Sequence, residues 1–376
     1  MAAPYRRGAF WSHRAPVRQD GCPDAACGVV SPGAAPGGHP TKGSVTSSEV
    51  QPAHTTRGRL IHWARILLVV AVVLAAGYAL WSNHEVVQET LAELSWRDWL
   101  PSFVALPVAI LLSTLSWQLL VDELGEPIGV ARGAQIFLVG QLGKYLPGSV
   151  WAYVLQIELG RRAGLARARI FTATLFSLAV AVVAALLAGS LVLPGFVRDY
   201  EALRGLVWLY LLLPVGLVCL HPAILQRVVS IGFKVLRRPQ PDHPVRMRAV
   251  ALSLLAAVAS YGFFGLHLWL LVRGVSNVDG NAAFLLVCIG TMAIAMISGL
   301  FFFLLPSGAG VRELIIVTAL APTIGSGEAI ALAAVSRVLI VVADLLTAAS
   351  AAGLGWWERR HFGPTPHDPG VDDDEA

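Results

Sequence analysis

Nine apolar segments follow one another along this chain, and they restrict its fold more than any other feature. They lie at about 63–81, 100–121, 133–157, 170–193, 205–221, 249–272, 283–305, 311–322 and 328–356. Crossing a bilayer as a helix takes about 20 predominantly apolar residues, and several of these windows reach that length. Composition points the same way. The 376 residues are 56% hydrophobic and only 14% charged, with a mean hydropathy of +0.65. A soluble domain of this length needs far more charge to cover its surface. The predicted fold class is an all-α polytopic membrane protein. A net charge of +4 is too small to imply nucleic acid as a partner.

The ends differ from the middle. Residues 1–58 are rich in Pro, Gly, Ala, Ser and Thr without apolar periodicity, which predicts a disordered tail. No apolar run follows its early arginines, so it is not a secretory signal. Residues 358–376 finish in "DPGVDDDEA" and predict a second, acidic disordered tail. The membrane domain is therefore expected at 59–357. Cys22 and Cys27 lie in the first tail, and Cys219 and Cys288 in apolar runs. The ten His are scattered. Neither pattern has metal-ligand spacing, so no metal and no cofactor is expected.

Loop charges orient the segments. The connection 82–99 carries Glu85, Glu89, Glu93, Arg97 and Asp98 and is net acidic. The connection 158–169 carries Arg161, Arg162, Arg167 and Arg169 against Glu158. The connection 222–248 carries Arg227, Lys234, Arg237, Arg238, Arg246 and Arg248 against Asp242. Cytoplasmic loops hold the excess of Lys and Arg, which puts the two basic loops inside and 82–99 outside. Loops 194–204 and 273–282 are nearly balanced and suit the outer side. Within 222–248, "PAILQRVVSIGFKVLRR" reads as an interfacial helix on an anionic inner leaflet.

This orientation creates a constraint. Segment 100–121 runs inward and 170–193 starts from the inside, so 133–157 must enter and leave on the cytoplasmic face. With both termini cytoplasmic, 283–322 must likewise enter and leave from the outside. The expectation is about six full transmembrane helices and two opposed re-entrant helical hairpins in a pseudo-inverted arrangement. Each hairpin carries a similar break: Leu146-Pro147-Gly148-Ser149 in one, Leu305-Pro306-Ser307-Gly308-Ala309-Gly310 in the other. Non-helical backbone at membrane depth survives only where protein or a wet cavity surrounds it. Paired Gly/Pro interruptions in corresponding halves mark transporter-like binding sites.

Lys144, Arg312, Glu313, Arg337 and Asp344 are the charges well inside apolar segments. Each costs roughly 2.5–3.5 kcal/mol at a helix centre on insertion scales and needs a partner or a purpose. Arg337 and Asp344 are seven residues apart and share a helix face. Arg312 and Glu313 are neighbours that point apart. The expected pairs are Glu313 with Arg337, and Asp344 with Arg312 or Lys144. A new helix should start near Val150 and near Val311, each presenting unpaired N–H groups. Lys144 and Arg312 stand beside these two starts, which suits a phosphate. Gln135, Gln141 and Gln156 are candidates to line a wet cavity. Trp81, Trp96, Trp99, Trp356 and Trp357 sit where aromatic belts sit. His267, deep in an apolar segment, is read as a hydrogen-bonded helix residue.

Enzymatic motifs fail on spacing. "GQLGKY" lacks the upstream Gly of a P-loop and has Tyr145 where Ser or Thr belongs. "GAGVRE" lacks the third Gly of a dinucleotide fingerprint. No HExxH is present.

Three stretches, "GQLGKYLPGSVW", "LPSGAGVRELIIVTAL" and "AAVSRVLIVVADLLTAASAAG", together resemble the lysylphosphatidylglycerol synthase transmembrane-region family, also described as flippase-like. The resemblance covers about residues 60–355. It rests on Gly143, Lys144, Pro147 and Gly148, then Pro306, Gly308, Gly310, Arg312 and Glu313, then Arg337. It implies translocation or handling of phospholipids or polyprenyl-type lipids. Bifunctional members also carry a soluble aminoacyl-transferring domain. The short acidic tail here leaves no room for one, so aminoacyl transfer is not expected.

The resulting expectation is a multi-pass cell-membrane protein that binds a lipid phosphate and translocates the lipid between leaflets, without enzymatic activity. The binding set would be Gln141, Lys144, Pro147, Gly148, Ser149, Pro306, Gly308, Gly310, Arg312, Glu313, Arg337 and Asp344. The partners would be membrane lipids, with a cell-envelope enzyme as a further candidate. Two alternatives stand beside it: a membrane-embedded enzyme acting on a lipid phosphate, with Glu313 or Asp344 as acid/base, and a non-transporting scaffold for a cell-envelope enzyme.

Overall fold

The computed structural model describes residues 88, 95–146, 150–191, 212–235, 245–276, 281–301 and 308–362. Every regular element among them is helical. The helices are α1 (Trp96–Glu123), α2 (Val130–Ala134), α3 (Val150–Arg162), α4 (Arg167–Gly189), α5 (Leu212–Cys219), α6 (Pro222–Val235), α7 (Met247–Val275), α8 (Ala282–Phe301), α9 (Val311–Ile324) and α10 (Ser326–Phe362). Five are long and apolar enough to cross a membrane, over Trp99–Glu123, Arg167–Gly189, Met247–Val275, Ala282–Gly299 and Ser326–Trp357. Four of these occupy segments expected to span. The fifth, α8, was expected as one arm of the second hairpin, yet it has the length to cross by itself. The expected span at 63–81 and both predicted tails lie outside the described residues, and of 205–221 only Leu212 onward is described.

The pairing of α1 with α7 is the most extensive in the fold. Its interface carries three polar rungs. Ser102 Oγ lies 2.7 Å from His267 Nδ1. The Ser260 hydroxyl donates to the Ala109 carbonyl at 2.7 Å. Ser116 Oγ lies 2.9 Å from Ser253 Oγ. The positions advance 102, 109, 116 on α1 and retreat 267, 260, 253 on α7, one heptad per rung, so the helices are antiparallel and in strict register. Small hydroxyl residues let apolar helices approach closely and satisfy each other's buried polar groups. His267 also meets Ser336 Oγ of α10 through Nε2 at 2.9 Å, so one ring ties three helices together. It is a hydrogen-bonded helix residue, as its sequence context suggests.

Arg169, counted above among the loop charges, is buried at the start of α4. Its Nη2 donates to the Val121 carbonyl at 3.0 Å and also to the Glu126 carbonyl. These caps hold the C-terminal end of α1, where carbonyls lack helical partners.

After α2 the chain continues as a π-helical turn over Gln135–Val139 and a 3-10 turn over Leu142–Tyr145. The helix α3 then folds back along it. The fit depends on two glycines: a Cβ at Gly143 would lie 2.6 Å from the Ala152 backbone nitrogen, and one at Gly140 would lie 2.5 Å from Gln156 Cγ. No side chain survives such distances. On the other side of the molecule's sequence, Gly308 sits at φ +65 with its α-carbon face against Gly299 of α8. Trp96, Trp356 and Trp357 are exposed near helix ends, where an interfacial belt needs them.

Candidate functional site

The described part of α3 starts at Val150, and α9 starts at Val311, where the sequence predicts a new helix. Of the break residues, Pro147, Gly148, Ser149, Leu305, Pro306 and Ser307 lie outside the described set. Gly310, at φ +88, is the N-cap of α9. Glu313 reaches back to accept the Gly310 N–H at 2.7 Å. Its other oxygen lies 3.5 Å from Arg337 Nη1 on α10. Glu313 is thus both a helix cap and half of an ion pair, and the N-terminus of α9 is partly closed by its own carboxylate.

The second pair joins distant parts of the chain. Lys144 Nζ lies 2.7 Å from Asp344 Oδ2. The same oxygen accepts a hydrogen bond from the Tyr145 hydroxyl at 2.5 Å. Of the two partners considered for Asp344, the structure chooses Lys144. Tyr145, noted in the sequence only as a misfit to a P-loop, is the addition. Together Arg337 and Asp344 anchor two charged contacts along one face of α10, as their seven-residue spacing requires.

These pairings leave Arg312 apart. Its side chain is buried, with the residue only 5% exposed. Its Nη2 has no hydrogen-bond partner among the described residues. An unmet buried donor costs about 1–3 kcal/mol, and more when charged, so its place in a fold calls for a reason.

A cavity of about 260 Å³ supplies a setting. Gln141, Lys144, Gln156, Thr174, Ser260 and Arg312 contribute its polar wall, and Phe137, from the π-helical turn, is part of the apolar one. Interruptions of this kind in a helix often accompany functional sites. Of the residues expected to bind, the structure brings Gln141, Lys144 and Arg312 to this cavity. Asp344 stands behind it through Lys144, and Glu313 with Arg337 through their neighbour Arg312. Gln135 does not join them, since it packs beside Gly355 of α10. The wall also contains a chain that the sequence does not reveal. The Trp117 indole N–H donates to Thr174 Oγ1 at 3.1 Å, and Thr174 donates to Gln156 Oε1 at 3.2 Å. Gln156 Nε2 is the second buried donor at this cavity without a partner among the described residues.

Long apolar helices around a cavity lined by Lys144 and Arg312 define an integral membrane protein with a polar, charged site. The chain belongs to the Lysylphosphatidylglycerol synthase TM region family, whose model matches residues 67–348. Comparison with curated proteins and with solved structures gives no match.

Proposed function

We propose that this protein binds the phosphate headgroup of a membrane lipid in the cavity and carries the lipid between leaflets. The observation behind this reading is Arg312: a buried cation on the cavity wall, beside the start of α9, with a donor that has no partner among the described residues. A cation next to a helix N-terminus favours an anion, and the membrane's own anions are lipid phosphates. The volume, about 260 Å³, suits a headgroup and is too small for acyl chains, which would stay in the bilayer. No bond is made or broken in this scheme, so the protein acts as a carrier and not as an enzyme.

Alternating access needs elements that stop partway through the membrane. The 13 residues of α3 and 14 of α9 extend only about 20 Å each, against a hydrocarbon core of about 30 Å. This supports re-entrant arms on both sides of the site. Lys144 would join Arg312 on the phosphate when it leaves Asp344, with Glu313 and Arg337 holding the α9 start in place. The protein would reside in the cell membrane with both termini cytoplasmic. A cell-envelope enzyme would be the partner that supplies or uses the lipid.

Binding in detergent tests the reading. Phosphatidylglycerol should bind the wild-type protein at least about tenfold more tightly than Arg312→Gln, since a charge-assisted hydrogen bond is lost. Diacylglycerol, which lacks phosphate, should bind both weakly and alike. Equal binding of the two lipids to the wild type would refute a headgroup site.

A further inference from the structure

Gln156 has a part in the cavity that the carrier scheme does not use. It lies on α3 and is 1% exposed, and Gly140 leaves the space its side chain fills. A carboxamide normally offers both an acceptor and donors, and so accepts ligands of either kind. Here the amide is oriented: the Thr174 hydroxyl, which also accepts the Trp117 indole N–H, donates to Gln156 Oε1. Oε1 is thus engaged, and Nε2, without a partner among the described residues, remains as a donor.

We propose that Gln156 and Arg312 together read the ligand, each giving an N–H to oxygens of one phosphate group, with Trp117 and Thr174 as residues that set the polarity of the amide. This rests on the headgroup reading and narrows it. The site takes a group that only accepts hydrogen bonds, a phosphate diester or free phosphate. It rejects an ammonium placed at the same point, because donors would face each other. Gln156 on α3 and Arg312 on α9 both line the cavity, and each keeps a buried donor without a partner among the described residues, so a site of this kind discriminates by leaving donors unpaired when the wrong group enters.

The test compares Gln156→Glu, Gln156→Lys, Thr174→Val and Arg312→Gln with the wild type. The probes are phosphatidylglycerol, diacylglycerol and inorganic phosphate in detergent, and thermal unfolding without ligand serves as the folding control. Gln156→Glu replaces donors by acceptors at constant shape and should weaken phosphatidylglycerol binding by about tenfold or more. Gln156→Lys keeps a donor and should retain binding. Thr174→Val frees the amide to rotate and should weaken binding less than Gln156→Glu does. If Gln156→Glu binds like the wild type while Arg312→Gln does not, Gln156 reads nothing and the headgroup site stands without it. If Gln156→Lys falls as far as Gln156→Glu, the residue only packs and its role as donor is overturned. Should inorganic phosphate bind in a Gln156-dependent way while phosphatidylglycerol does not bind, the donor pair holds and the lipid assignment falls. Loss of neither ligand in any variant overturns both.

Discussion

Lys144 and Asp344 meet at 2.7 Å with unequal exposure, 27% for the lysine side chain and 8% for the aspartate. The aspartate therefore depends on the pair more than the lysine does. Lys144→Gln leaves Asp344 with Tyr145 as its hydrogen-bond partner among the described residues and should destabilise the protein by about 1–3 kcal/mol, below the roughly 3–5 of a fully buried pair. Adding Asp344→Asn removes the stranded charge and should restore most of the loss. Thermal unfolding of the two single variants and the double variant in detergent measures the coupling, and simple additivity would show that the contact is energetically empty. The five charges within apolar segments were legible because each interrupts an apolar run, and periodicity on α10 placed two of them on one face. Gln156 was only a candidate for a wet wall. Its polarity is set by Thr174 and Trp117 across the fold, and no local pattern encodes that. Tyr145 escaped for the same reason, as its partner is 199 residues away.

Among the elements, the fold-back of α3 leaves no room for a side chain at Gly143. Gly143→Val would drive a branched side chain into the backbone at Ala152 and should sharply reduce the yield of monodisperse protein. Gly262 in α7 is the matched control, since a Cβ there meets nothing within 4 Å. Gly262→Ala should leave yield unchanged and add about 0.5–1 kcal/mol from helix propensity. Fluorescence-detected size-exclusion and unfolding midpoints separate the two outcomes. The helix start at Val311 could be read in advance because Pro and Gly punctuate a chain locally. The serine rungs could not, although the signal was there: Ser102 and Ser116 are two heptads apart, as are Ser253 and His267. Seeing that they face each other requires knowing which apolar helices are neighbours, and hydrophobicity alone makes all of them equivalent partners.

For the whole molecule the open quantity is sidedness, because helices carry no label for inside and outside. Single cysteines at residue 164 and at residue 88, in a background without Cys22, Cys27, Cys219 and Cys288, should react with a membrane-impermeant maleimide from opposite faces. Reaction from the same face would mean that residues 133–157 cross the bilayer, and the first re-entrant arm would be lost. Charge asymmetry in the loops predicts this topology in outline, and α8 shows the limit of such a reading: twenty apolar residues fit a full crossing and one arm of a hairpin equally well. The rungs between α1 and α7 bear on motion. Three contacts spaced by exact heptads have no neighbouring register to slip into, since a shift of one residue breaks them all at once. The two helices are therefore expected to move as one rigid body, and any rearrangement around the cavity falls to the elements packed against this pair.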